Sequence, residues 1–72
     1  MSWDTTFYTK KAEICTLGSF KYAYDFFEPQ EVTESDINGM LNSYHGVLHV
    51  VNLETVLSIL KTTDEKVYAK TM

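Results

Sequence analysis

The shortness of the chain is the feature that most constrains its fold. Seventy-two residues give a single small globular domain, residues 1–72. A chain of this size buries roughly 60–65% of the surface that its unfolded form exposes, so the core must be thin. Ten aromatic side chains, each able to bury about 150–250 Å², are the main material for that core. The hydrophobic fraction of 44% argues against disorder.

The same shortness argues against a small-molecule enzyme. A ligand pocket of about 300–1,000 Å³ would take a large share of so thin a core, unless two chains formed the pocket between them. The sequence contains no glycine-rich phosphate loop and no nucleophile elbow. Cys15 and a histidine are available as nucleophile and base, but no spacing relates them. We therefore predict that the protein is not an enzyme and needs no cofactor.

A single cysteine, Cys15, excludes an intramolecular disulfide and suits a reducing compartment. Between Ile14 and Leu17 we interpret it as a small, partly buried apolar residue. No apolar run approaches the roughly 18 residues that span a bilayer, and the first four residues lack the features of a signal peptide. The prediction is a cytoplasmic protein without membrane contact.

The charges are unevenly distributed along the chain. The formal net charge is −4 and all six basic residues are lysines. They lie near the two ends of the sequence, and no basic residue occurs between Tyr22 and Leu60. Nucleic-acid binding usually depends on clustered lysines and arginines, so we expect no direct contact with nucleic acid.

The first half of the chain shows strand patterns. Residues 3–9 alternate with a period of two, which predicts a strand, and Lys10-Lys11 marks a turn. Gly18-Ser19 separates residues 13–17 from residues 20–26 and predicts a hairpin with a two-residue turn. The alternative is a helix over residues 19–27. Pro29 ends either element.

The second half shows helical stripes. Ser35 is the predicted N-cap of a helix over residues 36–44, whose apolar positions recur at i, i+3, i+4 and i+7. Gly39 weakens this helix and requires tertiary support. Residues 47–51 are predicted as a buried strand, and Asn52 as the cap of a helix over residues 53–60. A turn over residues 62–64 and a last strand over residues 66–70 follow. Together, these elements predict an α+β fold of approximate order β-β-β-α-β-α-β. It is a small mostly antiparallel sheet with two short helices packed on one face.

Two histidines, His45 and His49, have the four-residue spacing of metal ligands on one helix face. Gly46 separates them from the preceding helix, and no third ligand is evident nearby. We predict no metal site.

The most distinctive candidate for a functional site is an acidic segment beside aromatic residues. Asp25, Glu28, Glu31 and Glu34 recur every three residues, and in a polyproline-like conformation they would line one side about 9 Å apart. Aromatic residues precede the segment directly, as in interfaces with aromatic anchors and a charged rim. The predicted contact residues are Tyr22, Tyr24, Asp25, Phe26, Phe27, Glu28, Glu31, Glu34 and Asp36. The alternatives are a solvated acidic loop and aromatic rings that pack internally.

These features suggest a protein-binding inhibitor or modulator that docks an acidic, aromatic-flanked edge on a basic site of another protein. In size and charge, the chain resembles the small acidic single-domain inhibitors that phages use against host enzymes or defence systems. Two alternatives stay open. One is a self-associating structural domain such as a homodimer, and the other is a module that binds a small ligand at a dimer interface.

Overall fold

The computed structural model describes residues 3–22, 24–43 and 46–72. The strands are β1 (Thr5–Tyr8), β2 (Glu13–Leu17), β3 (Gln30–Val32) and β4 (Val67–Thr71). The helices are α1 (Glu34–Ser43) and α2 (Val47–Thr62), and a short 3₁₀ helix (Tyr24–Phe27) precedes β3. The predicted α+β class is confirmed, with strand order β2-β1-β4-β3 and every neighbouring pair antiparallel.

Alternation along the strands places one face of the sheet in the core. Thr5 and Phe7 of β1 are buried, as are Val67, Ala69 and Thr71 of β4. Both α-helices contribute buried side chains to the same core cluster, so they cover this face. The other face carries the half-buried Tyr8 and Tyr68, a cross-strand pair whose rings stack at 5.8 Å.

The predicted second hairpin is wrong. The chain pairs β2 with β1 through the Lys10-Lys11 turn, and residues 20–22 and 24–26 form no strand. Ser19, not Gly18, takes the left-handed conformation at a φ of 54°. Its amide donates to the Asp4 carboxylate at 3.1 Å, which fixes the turn. Phe20 enters the core directly after this turn, and Phe26 enters it from the 3₁₀ helix.

The predicted strand over residues 47–51 is also wrong, because these residues form the first turns of α2. Asn52 therefore lies inside the helix instead of capping it. The N-cap is Gly46, which provides no side-chain hydrogen bond. Val67–Thr71 matches the predicted last strand to within one residue.

The start of α1 differs from the prediction by two residues. Thr33, not Ser35, is the N-cap, since its hydroxyl accepts a hydrogen bond from the Asp36 amide at 3.3 Å. The Asp36 carboxylate accepts from the Thr33 amide at 2.9 Å and from its hydroxyl at 3.1 Å. This reciprocal arrangement is a capping box with Asp at the third helical position. Tyr44, the predicted last residue of the helix, lies outside the described residues.

Removal of the capping side chain is expected to destabilise the protein moderately. Thr33→Ala leaves helix amides at the start of α1 without an acceptor, and we expect a loss of about 1 kcal/mol in the free energy of unfolding. Urea titration followed by circular dichroism measures it. Ser35→Ala is the matched control, expected to change stability by less than about 0.5 kcal/mol because Ser35 is exposed within the helix. Equal losses in the two variants would contradict the assignment of Thr33 as the cap.

Candidate functional site

The predicted acidic segment is built on the outer edge of the sheet. Glu31 lies in β3, which pairs with β4 on one side only. Glu28 precedes the strand and Glu34 begins α1, and all three side chains are exposed. We call Glu28, Glu31 and Glu34 the acidic edge.

The predicted polyproline-like ridge is wrong in its geometry. Gln30–Val32 is a β-strand, and side chains along a strand alternate between faces with a period of two. Only Glu31 lies in the strand and Glu34 begins α1, so the three-residue repeat of a polyproline helix does not continue along the acidic edge. The acidic edge follows the sheet border instead, with Glu28 near the start of β3 and Glu34 beyond its other end.

The fold brings lysines that are distant in sequence to this segment. Lys66 Nζ lies 3.9 Å from Glu31 Oε1, a surface ion pair of the kind that contributes at most about 1 kcal/mol. Lys70 Nζ donates to the Phe27 carbonyl oxygen at 3.0 Å. Among the side chains that the structure describes, no lysine Nζ lies within 4.0 Å of the Glu28 or Glu34 carboxylate. Within the described part of the chain, a lysine thus compensates the negative charge of the edge at its centre and not at Glu28 or Glu34.

The aromatic residues of the predicted site separate into two environments. Phe26 is buried in the core, so its predicted role as a contact residue is corrected. Phe27 is half-buried and packs against Trp3, with ring centroids 5.0 Å apart. Lys21 Nζ lies 5.6 Å from the Trp3 ring centroid and 5.7 Å from that of Phe27, within range of a cation–π interaction. The predicted contacts of Tyr24 and Asp25 concern side chains outside those described.

Tyr22 remains on the surface and is held against α1. Its hydroxyl occupies the space that a side chain at position 39 would take. Gly39 therefore allows this close approach, which is the tertiary support that the weak helix requires. The Tyr22 ring also lies 6.4 Å from the Phe26 ring, which anchors it to the core.

Asp36, another predicted contact residue, has a structural role in the capping box at the start of α1. Its carboxylate accepts hydrogen bonds from the amide and the hydroxyl of Thr33, as described for the capping box. The spacing Thr33-x-x-Asp36 is a signal in the sequence that identifies this role, because a capping box joins a residue to the one three positions later. Among the described side chains of the predicted site, Tyr22 and the acidic edge are thus exposed, and Phe27 and Asp36 are half-buried.

The groups considered for chemistry do not form a catalytic arrangement among the described residues. Burial raises the pKa of the Cys15 thiol, and the neighbouring Glu13 carboxylate raises it further, so the reactive thiolate is disfavoured. His49 Nε2 lies 3.0 Å from the Gly18 carbonyl oxygen, and its ring packs edge-on against Phe20 at 5.3 Å. Within the described side chains, no three of His, Cys, Asp or Glu come together as metal ligands. His45 lies outside the described residues.

A second surface was not predicted from the sequence. Six large apolar side chains are exposed among the described residues: Trp3, Tyr22, Val47, Leu48, Val51 and Met72. The apolar run over residues 47–51 was the signal of this exposed apolar surface in the sequence. Because the run was interpreted as a buried strand, its exposure was not predicted.

Comparisons with protein-family models, with curated protein sequences and with solved structures found no match. Across the described ranges, neither helix has the length and apolar character required to cross a bilayer.

Proposed function

We propose that the protein is a non-catalytic inhibitor or modulator that docks its acidic edge on a basic surface of another protein. The observation that carries the proposal is the exposure of Glu28 and Glu34 without a lysine within 4.0 Å among the described side chains. Carboxylates left in this state attract a basic partner over distances of about 8–10 Å at physiological salt. Docking there would cover the partner's basic site, which is how a small domain inhibits a larger protein.

The position of β3 supports a partner of different sequence for this edge. An edge strand presents unpaired backbone groups to other chains. β3 is three residues long and carries Glu31, so pairing of two β3 edges would bring like charges together. A basic segment meets no such repulsion. Half-buried Phe27 and exposed Tyr22 provide aromatic contacts beside the charge.

Charge reversal at both ends of the edge tests the proposal. The double variant Glu28→Lys/Glu34→Lys should lower affinity for the partner at least ten-fold, because it replaces attraction with repulsion. The matched control Glu54→Lys/Asp64→Lys makes the same change in net charge at exposed positions elsewhere and should alter affinity less than three-fold. Partners are captured from native lysate with the wild-type and both variants and compared by quantitative mass spectrometry.

A partner retained by wild type and control but lost from the edge variant supports docking at the acidic edge. Equal retention by both double variants would show that the edge is not the contact surface. Thermal unfolding of each variant shows whether the fold is intact. Lys at position 34 also opposes the dipole at the start of α1, and we expect this to cost up to about 1 kcal/mol.

A further inference from the structure

The direction of the backbone groups in β3 follows from the hydrogen bonds between β1 and β4. The backbones of Asp4 and Met72 exchange two hydrogen bonds, 2.9 and 2.8 Å long. In an antiparallel pair, positions that exchange two hydrogen bonds alternate with positions that exchange none. The register of β1 and β4 is continuous, so Tyr8 and Tyr68 are also a hydrogen-bonded pair. The amide and carbonyl groups of Tyr68 are therefore directed at β1.

The same alternation fixes the orientation of the Glu31 backbone. Glu31 is the register partner of Tyr68, whose backbone groups are already used by β1. Gln30 and Val32 must then make the hydrogen bonds of β3 to β4. The Glu31 amide and carbonyl oxygen consequently point to the free edge, the side of β3 that does not face β4. Among the residues that the structure describes, none outside the sheet forms a backbone hydrogen bond with Glu31.

The free edge offers a short site for another strand. Pro29, two positions before Glu31, has no amide hydrogen to donate. Two positions after Glu31, the Thr33 amide donates to the Asp36 carboxylate at 2.9 Å. The Thr33 carbonyl oxygen accepts from the Ile37 amide at 3.1 Å. An incoming antiparallel segment can therefore exchange two hydrogen bonds with this edge, both of them at Glu31.

The charge at this position selects the residue that it receives. Two residues of a hydrogen-bonded antiparallel pair have their side chains on the same face of the sheet, with Cα atoms about 5.5 Å apart. Glu31 lies on the face that carries the stacked rings of Tyr8 and Tyr68. A residue bonded to the Glu31 backbone thus has its side chain beside the half-exposed Glu31 carboxylate. Opposite charges stabilise such a cross-strand pair and like charges destabilise it, so lysine or arginine is favoured there.

Glu28 and Glu34 extend this preference in both directions along the chain. Each lies three residues from Glu31 and is exposed. A segment that runs antiparallel to β3 passes towards Glu28 on one side of its bonded residue and towards Glu34 on the other. Basic residues three positions before and after the bonded residue therefore match the acidic edge in both spacing and sign.

We infer that the partner binds the acidic edge by strand addition, with an extended basic segment that runs antiparallel to β3 and exchanges two backbone hydrogen bonds with Glu31. This inference rests on the proposed docking at the acidic edge and specifies its geometry. In strand addition, backbone hydrogen bonds contribute affinity and side chains determine specificity. Proline and charged side chains protect an edge strand against unwanted pairing. At β3 they oppose neutral or acidic strands, and a basic segment is the kind that they accept.

A synthetic peptide of nine residues tests the inference on the full chain. The parent peptide has lysine at its second, fifth and eighth positions and alternating threonine and valine elsewhere, which favours an extended strand. In the matched control peptide, a methyl group on the amide nitrogen of the central lysine removes one donor and keeps every charge. In an NMR titration at low salt, methylation should weaken binding about five-fold, because one of the two hydrogen bonds is lost.

Hydrogen exchange of the Glu31 amide provides a readout that charge attraction alone does not move. At saturating parent peptide, exchange of this amide should slow at least five-fold, because the amide becomes hydrogen-bonded. The amide of Asp64, which is exposed in the loop before β4, should exchange at an unchanged rate. The control peptide should protect the Glu31 amide less than the parent peptide does at the same occupancy.

Two substitutions at position 31 separate the backbone from the side chain. Glu31→Gln and Glu31→Pro both remove the carboxylate, but only proline also removes the outward amide hydrogen. Glu31→Pro should therefore bind the parent peptide at least three-fold more weakly than Glu31→Gln. Both variants should stay folded, because the Glu31 backbone makes no hydrogen bond to β4. Thermal unfolding checks this, and the exchange measurement on the wild type decides the question if Glu31→Pro does not fold.

The outcomes distinguish strand addition from docking by charge alone. Equal binding of the two peptides, with a Glu31 amide that exchanges as in the free protein, would overturn strand addition. If Glu28→Lys/Glu34→Lys still abolished peptide binding in that case, docking at the acidic edge would stand without it. A parent peptide that does not bind the wild type would also overturn the inference, whereas the lysate comparison would still test the proposed function.

Discussion

Phe20→Ala is expected to destabilise the protein by about 3–5 kcal/mol. The Phe20 ring is fully buried, although Phe20 itself lies in neither a strand nor a helix. Its backbone amide is bonded to Trp3, and its carbonyl oxygen accepts the Thr5 hydroxyl at 2.6 Å. Truncation of a buried Phe costs about 3–5 kcal/mol. A domain of this length has on the order of 4–11 kcal/mol in total, so the loss is at least about a quarter of the free energy of unfolding. Urea titration followed by circular dichroism measures the loss.

Val51→Ala is the control for that loss. It also truncates an apolar side chain, but Val51 is exposed, so its stability should change by less than about 0.5 kcal/mol in dilute solution. A loss below about 1 kcal/mol for Phe20→Ala would mean that the Phe20 ring is not part of the core.

Thr5→Val is expected to cost about 2–3 kcal/mol, although the two side chains have nearly the same shape. The Thr5 hydroxyl donates to the Phe20 carbonyl oxygen and lies 2.7 Å from the Thr71 hydroxyl. Since a hydroxyl has one hydrogen to donate, Thr71 must be the donor to Thr5. Valine at position 5 thus leaves a buried carbonyl oxygen without its donor and a buried hydroxyl without its acceptor.

A double-mutant cycle separates these two contributions. Thr71→Val removes only the outer donor and leaves the bond from Thr5 to Phe20 in place, so it should cost about 1 kcal/mol. The variant Thr5→Val/Thr71→Val should be less destabilised than the sum of the single variants, because the orphaned Thr71 hydroxyl is gone. Unfolding free energies from urea titrations measure all three variants. Strictly additive losses would show that the two hydroxyls do not interact.

The parts of the fold that the sequence predicted are those in which local pattern and tertiary environment agree. β1 and β4 alternate with a period of two because one face of each strand is buried by the helices. The stripe in α1 formed by Ile37, Met40 and Leu41 faces the core for the corresponding reason. In these elements, the side chains that pack into the core are the same ones that produce the periodic apolar pattern in the sequence.

Two elements were predicted wrongly, the strand over residues 47–51 and the hairpin arm over residues 20–26. The two errors have different physical causes. The run over residues 47–51 is rich in β-branched residues and too short for periodicity to separate a strand from a helix. Because three of its apolar residues face solvent, it also lacked the polar positions that mark an exposed helical face. In residues 20–26 the alternating aromatics were interpreted as strand, but Phe20 and Phe26 are held in the core by contacts distant in sequence. Local pattern contains no information on those contacts.

The candidate site was predicted in composition but not in geometry. Glu28, Glu31 and Glu34 are exposed, in keeping with their charge. Their arrangement depends on the pairing of β3 with β4, which lies more than 30 residues away in the sequence. The approach of Lys66 to Glu31 depends on the same pairing.

The order of the strands has a consequence for how the protein folds. β4, the last strand of the sequence, lies between β1 and β3 and is the only described partner of β3. The pairings of β1 and β3 with β4 therefore cannot form until residues 67–71 are available. The pairing of β1 with β4 must also close a loop of about 60 residues. Such non-local pairing slows folding relative to a chain with mainly local contacts. During synthesis, the β1–β2 hairpin and the helices are made before β4, so the apolar positions that β4 covers stay exposed until it inserts between β1 and β3.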